Sequence, residues 1–159
     1  MAKGKKQAKD PDVRLVAGNK RARFEYHIDE TVEAGMVLRG SEVKSLRAGK
    51  ASLTDSYAVI EEDGAWLVNS HIAEYPWANI LNHAPRRKRK LLLHTAELRR
   101  LGIKLRERGF TLVPLRMYFR SARVKVELGL ARGKKTYDKR ESIKQRDQAR
   151  ETEKQLRAR

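Results

Sequence analysis

The sequence predicts a mainly β protein, built as a small antiparallel barrel or sandwich with flanking helices. Two pairs of alternating apolar and polar segments are each separated by a short turn, which is the pattern of β-hairpins. A further alternating segment precedes the first pair, and few stretches have the spacing of an amphipathic helix. Since 159 residues hold one core of ordinary size, we expect about six short strands and two or three short helices around it.

The first 18 residues predict a flexible basic arm. They contain few large apolar side chains, and their five basic residues are Lys3, Lys5, Lys6, Lys9 and Arg14. Burial of so little apolar surface does not offset the entropy lost when a chain is ordered. From Phe24 to Ile28 apolar and polar residues alternate, which predicts a half-buried strand, and a second strand is expected over residues 33–40.

A short helix and a hairpin are expected next. Ser41 can cap a helix that runs to Arg47 and ends before Gly49. Residues 56–61 and 65–71 read as two strands joined at Asp63-Gly64, a strong hairpin signal. Residues 76–89 have neither helical nor strand periodicity and predict a long exposed loop, which is followed by a short strand or buried turn at residues 91–93.

The last part of the domain is predicted to contain a helix and a second hairpin. Thr95 can cap a helix whose leucines at positions 98, 101 and 105 share one face before Gly109 ends it. Residues 112–120 and 123–130 alternate and turn near Ser121-Ala122. Pro114 cannot donate to a strand ladder, so its position should be an edge or a bulge.

The C-terminal tail, residues 133–159, carries ten Lys or Arg against five Asp or Glu, a net charge of +5. Helix formers and oppositely charged pairs at helical spacing are frequent, but Ile143 and Leu156 are too far apart to form an apolar stripe. Isolated helices of this kind are marginal in water. We therefore predict a tail that is disordered alone and helical when bound to a polyanion.

The charge points to nucleic acid as the partner. Thirty-seven Lys and Arg oppose 20 Asp and Glu, so the net charge is +17. A membrane surface is the rival, but no basic amphipathic helix with an apolar face is visible. The absence of cysteine excludes disulfides and thiolate metal sites, and the apolar runs are too short to span a membrane or act as a secretory signal. A cytoplasmic protein is expected.

Enzyme chemistry is disfavoured by the spacing of the ionisable residues. The four histidines are scattered without metal-ligand spacing, and the acidic residues 61–63 fall at a hairpin tip. No glycine-rich phosphate loop is present, so we expect no cofactor. Four basic groups remain, and a barrel that brought them together would suit a structured RNA recognised by shape. These groups are residues 19–23, the trio Lys44, Arg47 and Lys50, residues 86–90, and residues 134–135.

Four strings in this order resemble the small protein B family, also called SsrA-binding proteins. They lie at residues 19–23, 40–49, 89–93 and 133–140, and the resemblance covers about residues 19–150. It implies an OB-type barrel, placed at residues 19–132, that binds the tRNA-like domain of transfer-messenger RNA (tmRNA). Members bring this RNA to ribosomes stalled without a usable stop codon. There the barrel fills the place of a tRNA anticodon arm at the small-subunit decoding site, and the tail becomes a helix in the empty mRNA channel.

The family pattern also implies site residues, while membrane and small-molecule partners are not expected. Candidates for the RNA surface are Asn19, Lys20, Arg21, Arg23, Glu33, Lys44, Arg47 and Leu92. Candidates for the ribosome-binding tail are Gly133, Lys134, Lys135, Tyr137, Asp138, Lys139 and Arg140. Glu33 is unusual because a carboxylate repels phosphate. It either orients nearby Arg or Lys side chains or contacts a base edge or a 2′-hydroxyl.

Two other functions stay open on residues alone. A ribosomal protein or RNA chaperone would use all of its charge at one site, so loss of the tail should strongly reduce RNA affinity. An RNA-modifying or RNA-cleaving enzyme would use residues 61–63 with a histidine, and it would turn over its RNA repeatedly.

Overall fold

The computed structural model describes residues 12–158 and confirms the mainly β barrel. In chain order the elements are β1 (Val13–Gly18), α1 (Lys20–Glu25), β2 (Tyr26–Met36), α2 (Gly40–Arg47), β3 (Ala51–Ser52), β4 (Tyr57–Glu61), β5 (Gly64–Val68), β6 (His71–Ile72), β7 (Arg89–Leu92), α3 (Thr95–Arg106), β8 (Phe110–Arg120), β9 (Arg123–Gly133) and α4 (Thr136–Arg157). A short 3₁₀ turn, Asn79–Leu81, lies between β6 and β7.

Six strands close into a ring in the order β8, β4, β5, β7, β2, β9, and β9 returns to pair with β8. One edge of β8 pairs with β9 along its whole length, while the other edge pairs with β4 only at Leu112 and with β1 beyond Arg116. The strands β3 and β6 form a separate two-stranded sheet. Closure leaves few free sheet edges, which is the advantage of a barrel over an open sheet.

The barrel interior is filled by side chains of alternate strand positions. Met117, Val126 and Leu128 are fully buried there together with Leu46 from α2 and Leu101 from α3. Alternation along each strand explains why every second residue faces inward. A second, smaller apolar cluster lies under α1 on the outside of the ring and contains Ala22, Val113, Leu115 and Ala131.

Both predicted hairpins are confirmed. The first turns between Glu61 and Gly64, and the second turns at Ser121 and Ala122, which both adopt the left-handed backbone region that a two-residue hairpin turn requires. The predicted irregularity at Pro114 is confirmed as a register shift between Pro114 and Arg116.

Several expectations are wrong. Residues 13–18 of the predicted flexible arm form β1, whose partner β8 lies about a hundred residues away; residues 1–11 lie outside the described residues. A single strand, β2, replaces two predicted ones, and Phe24 belongs to α1 because Asn19 caps a helix there. The ring has the six strands that were expected, and β1, β3 and β6 are additional strands outside it.

The tail forms the helix α4, in agreement with the helix formers and charge pairs of residues 133–159. Asp138 begins the helix by accepting the Lys135 backbone N–H at 3.2 Å, and Arg157 pairs with Glu153 at 2.7 Å one turn away. Such caps and pairs stabilise a helix that has no buried residue.

Candidate nucleic-acid interface

Asn19 joins β1 to α1 and uses most of its hydrogen-bonding capacity within the protein. Its Oδ1 accepts the Ala22 backbone N–H at 3.3 Å, and its Nδ2 donates to the Pro114 carbonyl at 3.0 Å. Its own backbone N–H donates to the Leu115 carbonyl at 2.8 Å. Asn19 therefore fixes the direction of α1, which places Lys20, Arg21 and Arg23 on an exposed surface.

A cleft of about 350 Å³ opens beside α1. Its lining combines polar groups with aromatic rings and includes Asn19, Arg21, Tyr26, Asp55 and Tyr57. An unpaired nucleobase is a flat ring with hydrogen-bonding edges, so a lining of this kind suits it.

Glu33 lies on the outer face of β2 and bonds two residues of β8. Its carboxylate accepts a hydrogen bond from the Tyr118 hydroxyl and pairs with the Arg120 guanidinium at 2.9 Å. Tyr118 is only 2% exposed, and the Arg116 guanidinium covers its ring at 4.9 Å from the centroid. Burial raises the pKa of the Tyr118 phenol, and the bond to Glu33 raises it further. Glu33 thus orients Arg120 and holds Tyr118 in place.

Leu92 and Lys125 complete this surface. Both are register partners of Gly35, Leu92 from β7 and Lys125 from β9. A Cβ on Gly35 would lie 3.3 Å from the Leu92 Cβ, so glycine permits the close approach. Leu92 is 55% exposed. We call the surface formed by Glu33, Leu92, Arg120 and Lys125 the Glu33 face.

Sequence reasoning missed Arg120 and Lys125, although a signal was available. Met117 and Phe119 face the barrel core, which implies that their neighbours in β8, Tyr118 and Arg120, face outward on the same side as Glu33. The Glu33 face and α1 lie at opposite ends of β2, about 20 Å apart for seven residues of extended chain. The predicted RNA residues therefore form two surfaces.

Lys44 and Arg47 lie exposed on α2. The Lys44 ammonium lies 5.3 Å from the centroid of the Tyr75 ring, and the Arg47 carbonyl accepts the Arg14 guanidinium at 2.5 Å. Both side chains stay accessible to an anionic partner.

A buried ion cluster holds α2 against the barrel. The Glu42 carboxylate accepts Arg87 at 2.6 Å and 2.7 Å, Arg89 at 2.9 Å and the Arg39 backbone N–H at 2.8 Å. Burial alone would raise the pKa of this carboxyl, but the bonds from Arg87, the Arg39 N–H and Arg89 outweigh it and hold the pKa below its ordinary value.

This cluster corrects the view of residues 76–89 as an exposed basic loop. Arg89 is fully buried and also donates to the Ser70 and Pro85 carbonyls, while His83 is buried between Ser41 and Ile72. Lys88 pairs with Glu61. Most of the basic run therefore serves the protein itself.

The tail begins at Gly133 and is attached to α1 by its first turns. The Lys134 ammonium donates to the Arg23 carbonyl and to the Ser142 hydroxyl, each at 3.1 Å. Asp138 lies 3.4 Å from His27, and the Arg146 guanidinium lies 5.6 Å from the Phe24 ring centroid. Of the other predicted tail residues, Lys135, Tyr137 and Arg140 are exposed and Lys139 is half-buried.

Residues 12–158 contain no cluster of three His, Asp or Glu side chains that could hold a metal ion. Over the same residues no helix has the length and apolar character needed to cross a membrane.

Comparison with known proteins identifies close relatives. The model of the protein family described as "SmpB protein" matches residues 16–158. An SsrA-binding protein of Thermobifida fusca is 56% identical over 159 residues, covering 100% of this chain and 99% of the relative. One from Geobacter metallireducens is 53% identical and covers 92% of this chain and 95% of the relative.

A solved structure described as "tmRNA-SmpB: a journey to the center of the bacterial ribosome" contains a chain similar to this one. The TM-score is 0.66 and the sequence identity is 51%, with 83% of this chain and 94% of that chain covered. The similarity therefore covers most of this chain.

Proposed function

Because the chain belongs to the SmpB family of SsrA-binding proteins, we propose that it binds the tRNA-like domain of tmRNA and delivers this RNA to stalled ribosomes for trans-translation. The match of nearly the whole chain to SsrA-binding proteins carries this proposal. The net charge of +17 supports it, since a basic surface attracts a polyanion from a distance.

Two surfaces of the barrel are assigned to the tRNA-like domain. On the Glu33 face, Arg120 and Lys125 contact phosphates while Leu92 packs against a sugar or base. Glu33 acts by orienting Arg120, because its two carboxylate oxygens are already engaged by Arg120 and Tyr118. At α1, Lys20, Arg21 and Arg23 bind the backbone, and Asn19 positions them. Lys44 and Arg47, exposed on α2, are further candidates for contact with this RNA.

The tail is assigned to the small ribosomal subunit. The helix α4 has no buried residue, so most of its basic side chains are accessible to ribosomal RNA in the decoding site and the empty mRNA channel. Its motif, Gly133 to Arg140, joins the barrel to this helix, and Lys134 and Asp138 set its direction through Arg23 and His27. The barrel and the tail therefore bind different partners.

The test compares the full chain with a 1–132 truncation. Each is titrated with a tRNA-like fragment of tmRNA and with an unrelated hairpin of equal length across a salt series. We expect both proteins to prefer the tRNA-like fragment, with affinities within about twofold of each other, because the removed residues contact the ribosome. Thermal melts of both proteins check that the barrel stays folded.

A strong loss of affinity in the truncation would favour a general RNA chaperone that uses all of its charge at one site. If neither RNA is preferred and both affinities fall with salt at the same slope, binding is charge neutralisation and the proposal fails.

A further inference from the structure

An ordered loop next to α2 exposes three large apolar side chains. This Trp77 loop, residues 75–83, leaves Trp77 80%, Ile80 97% and Leu81 80% exposed. Single exposed apolar residues are ordinary on a protein surface, but three within five positions form a patch. None of the RNA or ribosome surfaces assigned above uses it.

The loop is held in shape by hydrogen bonds of its own. Both ends of the Asn82 amide bridge back to Tyr75, accepting its N–H at 3.1 Å and donating to its carbonyl at 2.8 Å. The His83 ring is anchored between the Ser41 hydroxyl and the Ile72 carbonyl, each at 2.9 Å. The exposed side chains are therefore pre-positioned, which lowers the entropy cost of binding through them.

A left-handed residue inside the loop directs the side chains outward. Asn79 has φ of +49°, a conformation that asparagine tolerates better than most residues. The 3₁₀ turn that it begins carries Ile80 and Leu81, and none of its residues is buried. The apolar side chains of this turn therefore remain exposed.

The surroundings of the patch are cationic. Lys44 stacks on Tyr75 at the loop's start, and the carbonyl of Lys50 accepts the Ala73 N–H at 3.0 Å just before it. Arg86 follows the loop, whereas residues 73–90 contain a single carboxylate, Glu74. A second copy of the chain would be repelled by its net charge of +17, and the cations favour an anionic partner.

From this geometry we propose that the Trp77 loop binds unpaired nucleotides of the tRNA-like domain, with a base stacked on Trp77 and with Ile80 and Leu81 against its neighbours. Flat aromatic rings stack on bases, and branched apolar side chains wedge between them. The loop adjoins α2, whose Lys44 already belongs to the RNA surface, so one RNA can span both. This inference rests on the proposed function.

The chain suits a fluorescence test because it contains two tryptophans. Trp66 is engaged in β5, where its indole N–H donates to Asp63 at 2.9 Å and Lys88 lies over its ring. In a full-length Trp66→Phe variant, the remaining emission comes from Trp77. We expect a tRNA-like fragment to quench this emission at the concentration that produces binding.

Affinity measurements give a second readout. Trp77→Ala should weaken binding of the fragment about 5- to 100-fold, as expected for a lost base stack, and Trp77→Phe should restore most of it. The slope of affinity against salt should stay unchanged, because no phosphate contact is removed. The matched control is Ile103→Ala, which removes an apolar side chain that is 62% exposed on α3, and it should leave affinity unchanged.

Any of three results would overturn the inference while the proposed function stands. The fragment could be preferred without any change in Trp77 emission, or Trp77→Ala could bind it with wild-type affinity. Alternatively, small ribosomal subunits could quench the Trp77 emission while the tRNA-like fragment does not. Loss of preference for the tRNA-like fragment by the unmodified chain would instead refute the proposed function. The two failures are therefore distinguishable.

Discussion

Replacement of Glu42 by Gln should destabilise the whole barrel, because it leaves two arginines facing a neutral amide inside the protein. The carboxylate accepts four hydrogen bonds, and Arg89 is fully buried. Gln keeps one acceptor oxygen and turns an NH₂ group toward an arginine, so at least two charge-assisted bonds are lost. At about 1.5–3 kcal/mol each, the expected loss of unfolding free energy is about 3–5 kcal/mol.

Urea unfolding followed by tryptophan emission measures this loss. The control is Glu62→Gln, an exposed carboxylate at the first hairpin, which should change the unfolding free energy by less than about 0.5 kcal/mol. A loss below about 1 kcal/mol for Glu42→Gln would refute the reasoning, because the cluster would then contribute little to holding α2.

The difference in unfolding free energy between wild type and Glu42→Gln should depend on pH. The pKa of Glu42 is lowered in the folded state, so its ionised form stabilises the fold above the ordinary value of 4.5. This stabilisation is lost as pH falls below 4.5 through the folded-state pKa. The difference between wild type and Glu42→Gln should therefore be largest near neutral pH and shrink in acid.

Three further perturbations test separate parts of the structure. Tyr118→Phe should lower affinity for the tRNA-like fragment several-fold, although RNA cannot reach this buried ring. Arg120→Ala should lower affinity as well and should also reduce the slope of affinity against salt by about 1. Unchanged affinity of Tyr118→Phe would mean that Glu33 acts alone. Gly129→Ala places a Cβ 3.1 Å from two apolar side chains and should cost about 1–3 kcal/mol in urea unfolding, against little for Gly40→Ala, which has open space around it. Asp138→Asn weakens both the helix cap and the pairing with His27, so circular dichroism at 222 nm should show less helix; unchanged helicity would argue against this cap.

The hairpins were predictable from sequence because their information is local. The first hairpin turns at Glu62-Asp63, one residue before the predicted Asp63-Gly64, and Gly64 supplies a positive φ directly after the turn. The second turns at Ser121-Ala122 as predicted, and alternation on both sides of each turn sets the register. The strand β1 was missed for the opposite reason, since its six residues are ordered by pairing with β8, far along the chain.

The site was predictable only in part. The basic strings identified α1 and α2, but a basic run does not reveal which arginines are paired inside the protein, and Arg89 became buried through Glu42, 47 positions away. Similarly, no local pattern indicates that Glu33 of β2 would meet Arg120 of β8, because β9 lies between these strands. Charge counts predict a partner class, whereas the position of each charge follows from strand pairing.

The attachment of α4 to the barrel fixes the direction in which each of its basic side chains points around the helix axis. Each residue of an α-helix advances about 100° and 1.5 Å, so the 22 residues of α4 extend about 33 Å from the cap at Asp138. Deleting the uncharged Ile143 would keep the charge and nearly the length, yet it would rotate every later side chain by about 100°. Deleting seven residues would restore the angle to within about 20° while shortening the reach by about 10 Å. Angle and reach in the tail can thus be varied independently by the choice of deletion.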